Sequence, residues 1–181
     1  MTPREPCRQR TTALYGRDEL RPASANGPPH PMPQSLSLVI IHVIFSTKDR
    51  QPLVDVALRP KLHAYLATVA RTADCECYRA GGVTDHVHLA IRLSRTVTIA
   101  DLVGELKTAS SKWIKTQVPG LGGFAWQRGY ACFSVGPADL KALESYIDDQ
   151  EAHHRTRTFQ EEFRMFLKKY GVNYDEAYMW D

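Results

Sequence analysis

The stretch Thr84-Asp85-His86-Val87-His88-Leu89-Ala90 constrains this chain more than any other. Its two histidines are separated by one apolar residue and followed by more apolar residues, which reads as a β-strand. Side chains on a strand alternate between its faces. His86 and His88 therefore share one face, and Asp85, Val87 and Leu89 take the other. Two imidazoles held side by side on a rigid strand supply half of a divalent-metal site. Taken alone, the pair also fits a strand with a polar, wet face, because a short motif often matches by chance.

A second feature lies further along. Pro137 follows Gly136 and suits the first turn of a helix. Leu140, Leu143 and Ile147 then recur at helical spacing as a buried stripe. Tyr146 and Gln150 are four apart, so they are neighbours on one helix face. A tyrosine hydroxyl is a weak nucleophile at neutral pH, but it attacks a phosphate that a metal has polarised. The glutamine amide oxygen can serve as a ligand to the same metal. Without the histidines, the pair reads as a half-buried tyrosine beside a solvated glutamine.

The other segments complete a fold. Ser37–Phe45 is dense in Leu, Val and Ile and predicts a central strand buried on both faces, with His42 as a core or sheet-face histidine. Lys48 and Arg50 follow at its end. Pro52–Ala73 predicts a helix, with Val56, Leu58, Leu62, Leu66 and Val69 inward. Cys75–Val83 and His86–Leu93 predict a hairpin with Gly81-Gly82 near its turn. Thr98 caps the next helix, with Asp101 in its first turn; Ile99, Leu102, Val103, Leu106 and Trp113 line its core face. Lys107, Ser111 and Lys115 stripe another face, a spacing that suits successive phosphates or an ordinary wet surface. After a loop at Gly120–Gly123 come Phe124, Trp126, Arg128 and Tyr130, which fit either base stacking or a core. Tyr130–Val135 predicts a fourth strand, and Phe159–Tyr170 a last helix ended by Gly171. The order β-α-β-β-α-β plus two helices predicts an α+β, ferredoxin-like split βαβ fold. Its antiparallel sheet has helices on one face, and a tyrosine-bearing helix and a further helix follow.

Composition narrows the class. Net charge is only +3, and residues 1–31 hold five Arg against three acidic residues, so the remainder is nearly neutral. Any nucleic-acid contact must come from local patches. Cys7, Cys75, Cys77 and Cys132 form no paired zinc pattern and read as reduced thiols. No apolar run approaches membrane-spanning length, and a cytoplasmic protein is expected. Residues 1–34 carry seven of the chain's 11 prolines and no apolar period. They predict a disordered, Pro-rich leader ahead of a domain at 35–181, with Met32 expected as the natural start.

In order, these features resemble the TnpA-type, IS200-like single-tyrosine HUH transposases of small bacterial insertion sequences, relatives of the REP-associated tyrosine transposases. The resemblance runs from about Ser35 to Trp180. It includes His42–Arg50, Gly104–Ser111, Trp126–Tyr130, Phe133–Val135, Gln150–His154 and Phe159–Phe163. The REP-associated relatives usually carry Asn-Pro after the tyrosine, whereas Gln150 and His153-His154 point to the mobile-element branch.

The resemblance implies metal-dependent cleavage and rejoining of single-stranded DNA at hairpin-marked element ends. His86, His88 and Gln150 would hold Mg²⁺ or Mn²⁺. Tyr146 would form a 5′-phosphotyrosine link and leave a free 3′-hydroxyl. It further implies a homodimer, association with the nucleoid when bound to DNA, and DNA contacts from Lys107, Ser111, Lys112, Arg128 and Tyr130. His153 and His154 would approach the metal or phosphate, or face solvent, and Asp85 would be structural. Two other readings fit the residues: a non-catalytic nucleic-acid-binding relic, and an HUH replication-initiator-like nickase. The latter is normally longer and often carries a different His or a second catalytic tyrosine, whereas Tyr146 is the one tyrosine between Leu140 and Gln150 here.

Overall fold

Ile40-Ile41-His42-Val43-Ile44-Phe45-Ser46 is buried along its whole length, as a strand flanked by two others and covered on both faces must be. The computed structural model describes residues 35–155, 158–177, 179 and 180. The expected leader of residues 1–34 and the natural start expected at Met32 both lie outside the described residues. The elements are β1 (Ile40–Ser46), α1 (Arg59–Thr72), β2 (Glu76–Gly82), β3 (His86–Arg92), α2 (Ile99–Gln117), β4 (Ala131–Val135), α3 (Leu140–Asp148), α4 (Gln150–His153) and α5 (Phe159–Lys169). The sheet order is β2-β3-β1-β4, antiparallel throughout. Each β-α-β crossover skips one strand, which is the split βαβ arrangement expected from the pattern.

The two faces of the sheet differ in chemistry. On one, Ile41, Val43, Phe45, Val87, Leu89 and Ile91 pack against α1 and α2 in a continuous apolar core. Each large side chain buried there contributes about 1.5–3 kcal/mol. On the other, Ile44, Ala131 and Phe133 pack against Phe159 and Leu167 of α5. The histidines share this second face: His42 contacts Phe133 and Phe166, and His86 stacks on Phe159 with ring centroids 4.4 Å apart.

Local chemistry sets the boundaries. The Thr98 hydroxyl accepts from the Asp101 N–H at 3.1 Å and starts α2. Thr158 and Glu161 form a reciprocal capping box that starts α5. α1 begins at Arg59 rather than Pro52, because Pro60 lacks an N–H and fits only a first turn. The preceding residues form a turn with Val56 exposed.

The predicted tyrosine helix is interrupted. Pro137–Asp139 is a 3-10 turn, and Asp149 (φ −88°, ψ 14°) separates α3 from α4. Gly81 pairs with His88 across the hairpin. A Cβ at Gly81 would fall 2.5 Å from Ile147 Cγ2 and 2.7 Å from Ile147 O, so glycine lets α3 lie directly on β2. No helix among the described residues is long and apolar enough to cross a membrane.

Candidate active site

The β3 alternation puts both histidines on the α5 side of the sheet, where neither has any solvent exposure. Their rings lie 5.0 Å apart. Each is oriented by a partner. Asp85 Oδ1 lies 2.7 Å from His86 Nδ1. An ionised carboxylate only accepts, so Nδ1 carries the proton and donates, which leaves Nε2 as a bare lone pair. Burial alone would raise the Asp85 carboxyl, but the hydrogen bond and charge of His86, with His154, bring it below its ordinary value. Asp85 precedes β3, so strand alternation does not govern it: its carboxylate turns to His86 instead of the opposite face.

His88 Nδ1 lies 2.9 Å from His42 Nε2, and the two rings stack. In the tautomer in which Nδ1 donates to His42, His88 Nε2 is also bare. That atom is buried and has no hydrogen-bond partner. Both rings are held neutral. His42 is lowered to about 3 by burial and then by Lys169. His88 falls well below its ordinary value through burial and then the neighbouring His86, His42 and His154.

Gln150 comes from α4 and is fully buried. Its Nε2 donates to Glu162 Oε1 at 3.3 Å and to the Tyr146 carbonyl at 3.5 Å. This turns Oε1 toward His86 Nε2, 3.3 Å away. His154 Nε2 approaches the same His86 nitrogen at 3.1 Å, so of His153 and His154 it is His154 that reaches the centre. The His153 ring instead lies 5.1 Å from that of Tyr146.

Glu162, from α5, completes the cluster. Its Oε1 accepts the hydroxyl of Tyr146. Its buried Oε2 has no hydrogen-bond partner and lies 3.4 Å from His154 Nε2 and 3.7 Å from His88 Nε2. Burial raises its carboxyl to about 7, with His86 pulling it down and Asp85 pushing it up. Ligand atoms of His86, His154 and Glu162 all lie within 4.8 Å of one another. Lone pairs of nitrogen and oxygen facing one another at these distances, two of them on buried atoms without partners, fit a divalent cation.

Tyr146 is half-buried on α3, its ring 5.7 Å from His88 and 5.6 Å from Phe166. It borders a cleft of about 760 Å³ that also touches His42, His153, Glu162 and Tyr170. The structure thus brings Tyr146, His86, His88 and Gln150 together.

The other predicted residues lie elsewhere. Lys107 sits over Phe45, on the α1/α2 face of the sheet. Its ammonium donates to the carbonyls of Gln127, Arg128 and Gly129, and burial lowers it to about 8. Ser111 donates to the Phe124 carbonyl at 3.2 Å. Lys112, Arg128 and Tyr130 are exposed, with Lys107 Nζ 5.7 Å from the Tyr130 ring.

Sequence reasoning missed three contributors. His42 looked like core, and only the β1–β3 register brings it to His88. Asp85 looked averted. Glu162 carried a faint signal, since it interrupts the apolar face of Phe159, Phe163 and Phe166 at helical spacing.

With this geometry in hand, comparison with known proteins gives a family. The model for the family described as "Transposase IS200 like" matches residues 35–150. The chain belongs to the IS200-like transposase family. That membership implies DNA transposition and a DNA-cleaving enzyme, and with the His and Glu cluster it indicates a metal site.

Two solved structures share the fold. One is a candidate transposase from Deinococcus radiodurans R1, at 23% identity and TM-score 0.51, with 69% of this chain and 96% of that one covered. The other is a REP-associated tyrosine transposase bound to a REP hairpin, at 15% identity and TM-score 0.51, with 64% and 68% covered. No curated protein matches the chain.

Proposed function

We propose that this family member cleaves and rejoins single-stranded DNA at hairpin-marked ends through a covalent bond to Tyr146. The observation that carries this reading is the packing of the tyrosine segment on the His86 and His88 face: Gln150 Oε1 lies 3.3 Å from His86 Nε2, and the Tyr146 ring lies 5.7 Å from that of His88. His86, His88 and Gln150 would hold Mg²⁺ or Mn²⁺, which supplies Lewis-acid polarisation of the scissile phosphate when bound.

The chain's own residues do the rest. Asp85 and His42 keep the two Nδ1 protons in place, so both Nε2 atoms stay bare. Gln150 is held by Glu162 with its amide oxygen toward His86. Tyr146 Oη forms the bond to phosphorus as the bond from phosphorus to the 3′-oxygen breaks. The phenolic proton passes along its hydrogen bond to Glu162 Oε1, and the leaving 3′-oxygen takes up a proton from solvent. The products are a 5′-phosphotyrosine and a free 3′-hydroxyl, and the reverse step joins DNA without a nucleotide cofactor.

The partner would be a DNA hairpin, as in the REP-associated relative, and the working unit a homodimer in the cytoplasm, at the nucleoid when bound. The solvent-exposed Lys112, Arg128 and Tyr130 would meet the DNA, with Lys107 and Ser111 shaping the loops beneath them. The closeness of Tyr146 to His88 within one chain favours action in cis. Mixing His86→Ala with Tyr146→Phe tests this, since recovered cleavage requires action in trans.

The deciding assay uses labelled single-stranded oligonucleotides from the DNA flanking the gene, run on denaturing gels with and without Mg²⁺ or Mn²⁺. A metal-dependent protein–DNA adduct that Tyr146→Phe abolishes is expected. Hairpin binding with no adduct under any metal would favour a binding relic and refute the proposal.

A further inference from the structure

Glu162 occupies a position on α5 where packing calls for an apolar side chain, beside Phe159, Phe163 and Phe166. Its two oxygens face different groups. Oε1 receives the Tyr146 hydroxyl and the Gln150 amide. Oε2 is buried with no hydrogen-bond partner, and so is His88 Nε2, 3.7 Å away. Two buried lone pairs that face each other repel, and each has lost its hydration. A cation between them resolves both at once. Neither the Tyr146 contact nor the Gln150 contact needs Oε2, so packing around the tyrosine does not account for that oxygen's orientation.

We infer that Glu162 is itself a metal ligand and couples the metal to the nucleophile, with Oε2 on the cation held by His86 and His88 and Oε1 on the Tyr146 hydroxyl. This rests on the metal-dependent reading above and extends its ligand set from three side chains to four. Glu162 lies beyond residues 35–150, the part that the family model matches. The carboxylate makes the site anionic and adds an oxygen to imidazole donors, a set that suits Mn²⁺ well. It also makes α5 part of the metal centre, so that binding the cation anchors this helix against the sheet. His154, 3.1 Å from His86 Nε2 and 3.4 Å from Glu162 Oε2, lies close to the same point.

The test is Mn²⁺ binding by the full chain, followed by calorimetry and by the Mn²⁺ resonance signal. It compares wild type, Glu162→Gln, Glu162→Asp and His86→Ala. Glu162→Gln keeps the shape and loses the charge, and should bind at least about tenfold more weakly. Glu162→Asp should recover part of that loss. Amide exchange across residues 159–169 should slow on adding Mn²⁺ in wild type and not in Glu162→Gln. The wild-type exchange measurement needs no variant, so it decides the matter even if Glu162→Gln folds poorly.

Wild-type affinity in Glu162→Gln, or no slowing in α5 of the wild type, would overturn the ligand assignment. If His86→Ala also binds Mn²⁺ like wild type, or if wild type binds none, the metal-dependent reading fails as well. Loss in His86→Ala with no change in Glu162→Gln removes Glu162 alone.

Discussion

Gly81→Ala tests whether the site depends on how closely α3 lies on the hairpin. The added methyl carbon would sit 2.7 Å from the Ile147 carbonyl oxygen and 2.5 Å from its Cγ2, where ordinary contact begins at 3.4 Å. Relieving the backbone clash requires a shift of 0.7 Å, the difference between 3.4 and 2.7 Å. The Ile147 side chain can rotate, but its carbonyl moves only with the helix. Tyr146 is the adjacent residue, so the nucleophile moves with it.

Overpacking of this kind costs about 1–3 kcal/mol, which lowers Tm by about 2–12 °C in a chain of this size. A displacement near 1 Å at the reacting group costs about 10²-fold in rate. Single-turnover adduct formation and a thermal melt measure both. Gly104→Ala is the control: its Cβ meets nothing within 4 Å, and in mid-helix it should stabilise by about 0.5–1 kcal/mol. A Gly81→Ala chain with wild-type Tm and wild-type adduct rate would refute the claim that this approach positions Tyr146.

Other outcomes follow from the partners of the histidines. His42→Phe keeps the ring stack but removes the acceptor for His88 Nδ1, and Asp85→Asn removes the charge that fixes His86. Each should weaken Mn²⁺ binding about 10–100-fold, and unchanged calorimetric affinity would show that these contacts do not orient the ligands. Acid should destabilise the metal-free fold through His42, which stays neutral down to about 3 when folded but has a value of 6.5 when unfolded. The unfolded chain then takes up the proton first, which costs about 1 kcal/mol by pH 5.5. Glu162 acts in the opposite direction. At about 7 folded against 4.5 unfolded, it keeps its proton in the fold while the unfolded chain releases it, so it stabilises as pH falls from 7 toward 4.5. Urea midpoints at pH 7 and 5.5 in chelator should therefore fall more steeply in Glu162→Gln than in wild type, and an equal or shallower fall would contradict this sign. Lys107→Met leaves three carbonyls without their donor and should cost about 1–3 kcal/mol. It should leave the salt dependence of hairpin binding unchanged, whereas a slope reduced by about 1 would make Lys107 a phosphate contact.

The chain's local patterns determined much of this protein. Period-two alternation placed His86 and His88 on one face before any fold was known. The cap at Thr98, the glycines of the hairpin and the order of strands and helices led to the split βαβ arrangement. Tyr146 and Gln150 were legible as a pair, although α3 and α4 break between them.

Only the tertiary structure decided what surrounds these residues. Helical and strand periods say which side chains share a face of one element, not which faces meet. The β1–β3 register makes His42 the partner of His88, and a residue just outside β3, Asp85, turns toward His86 because no strand alternation binds it. The docking of α5 brings Glu162 between nucleophile and histidines, across many residues of sequence. The packing of α2 on the segment before β4 ties Lys107 and Ser111 to backbone carbonyls, while Lys112 and Arg128 stay exposed. Such long-range pairings depend on how two sheet faces are covered, and no spacing within a single segment records that.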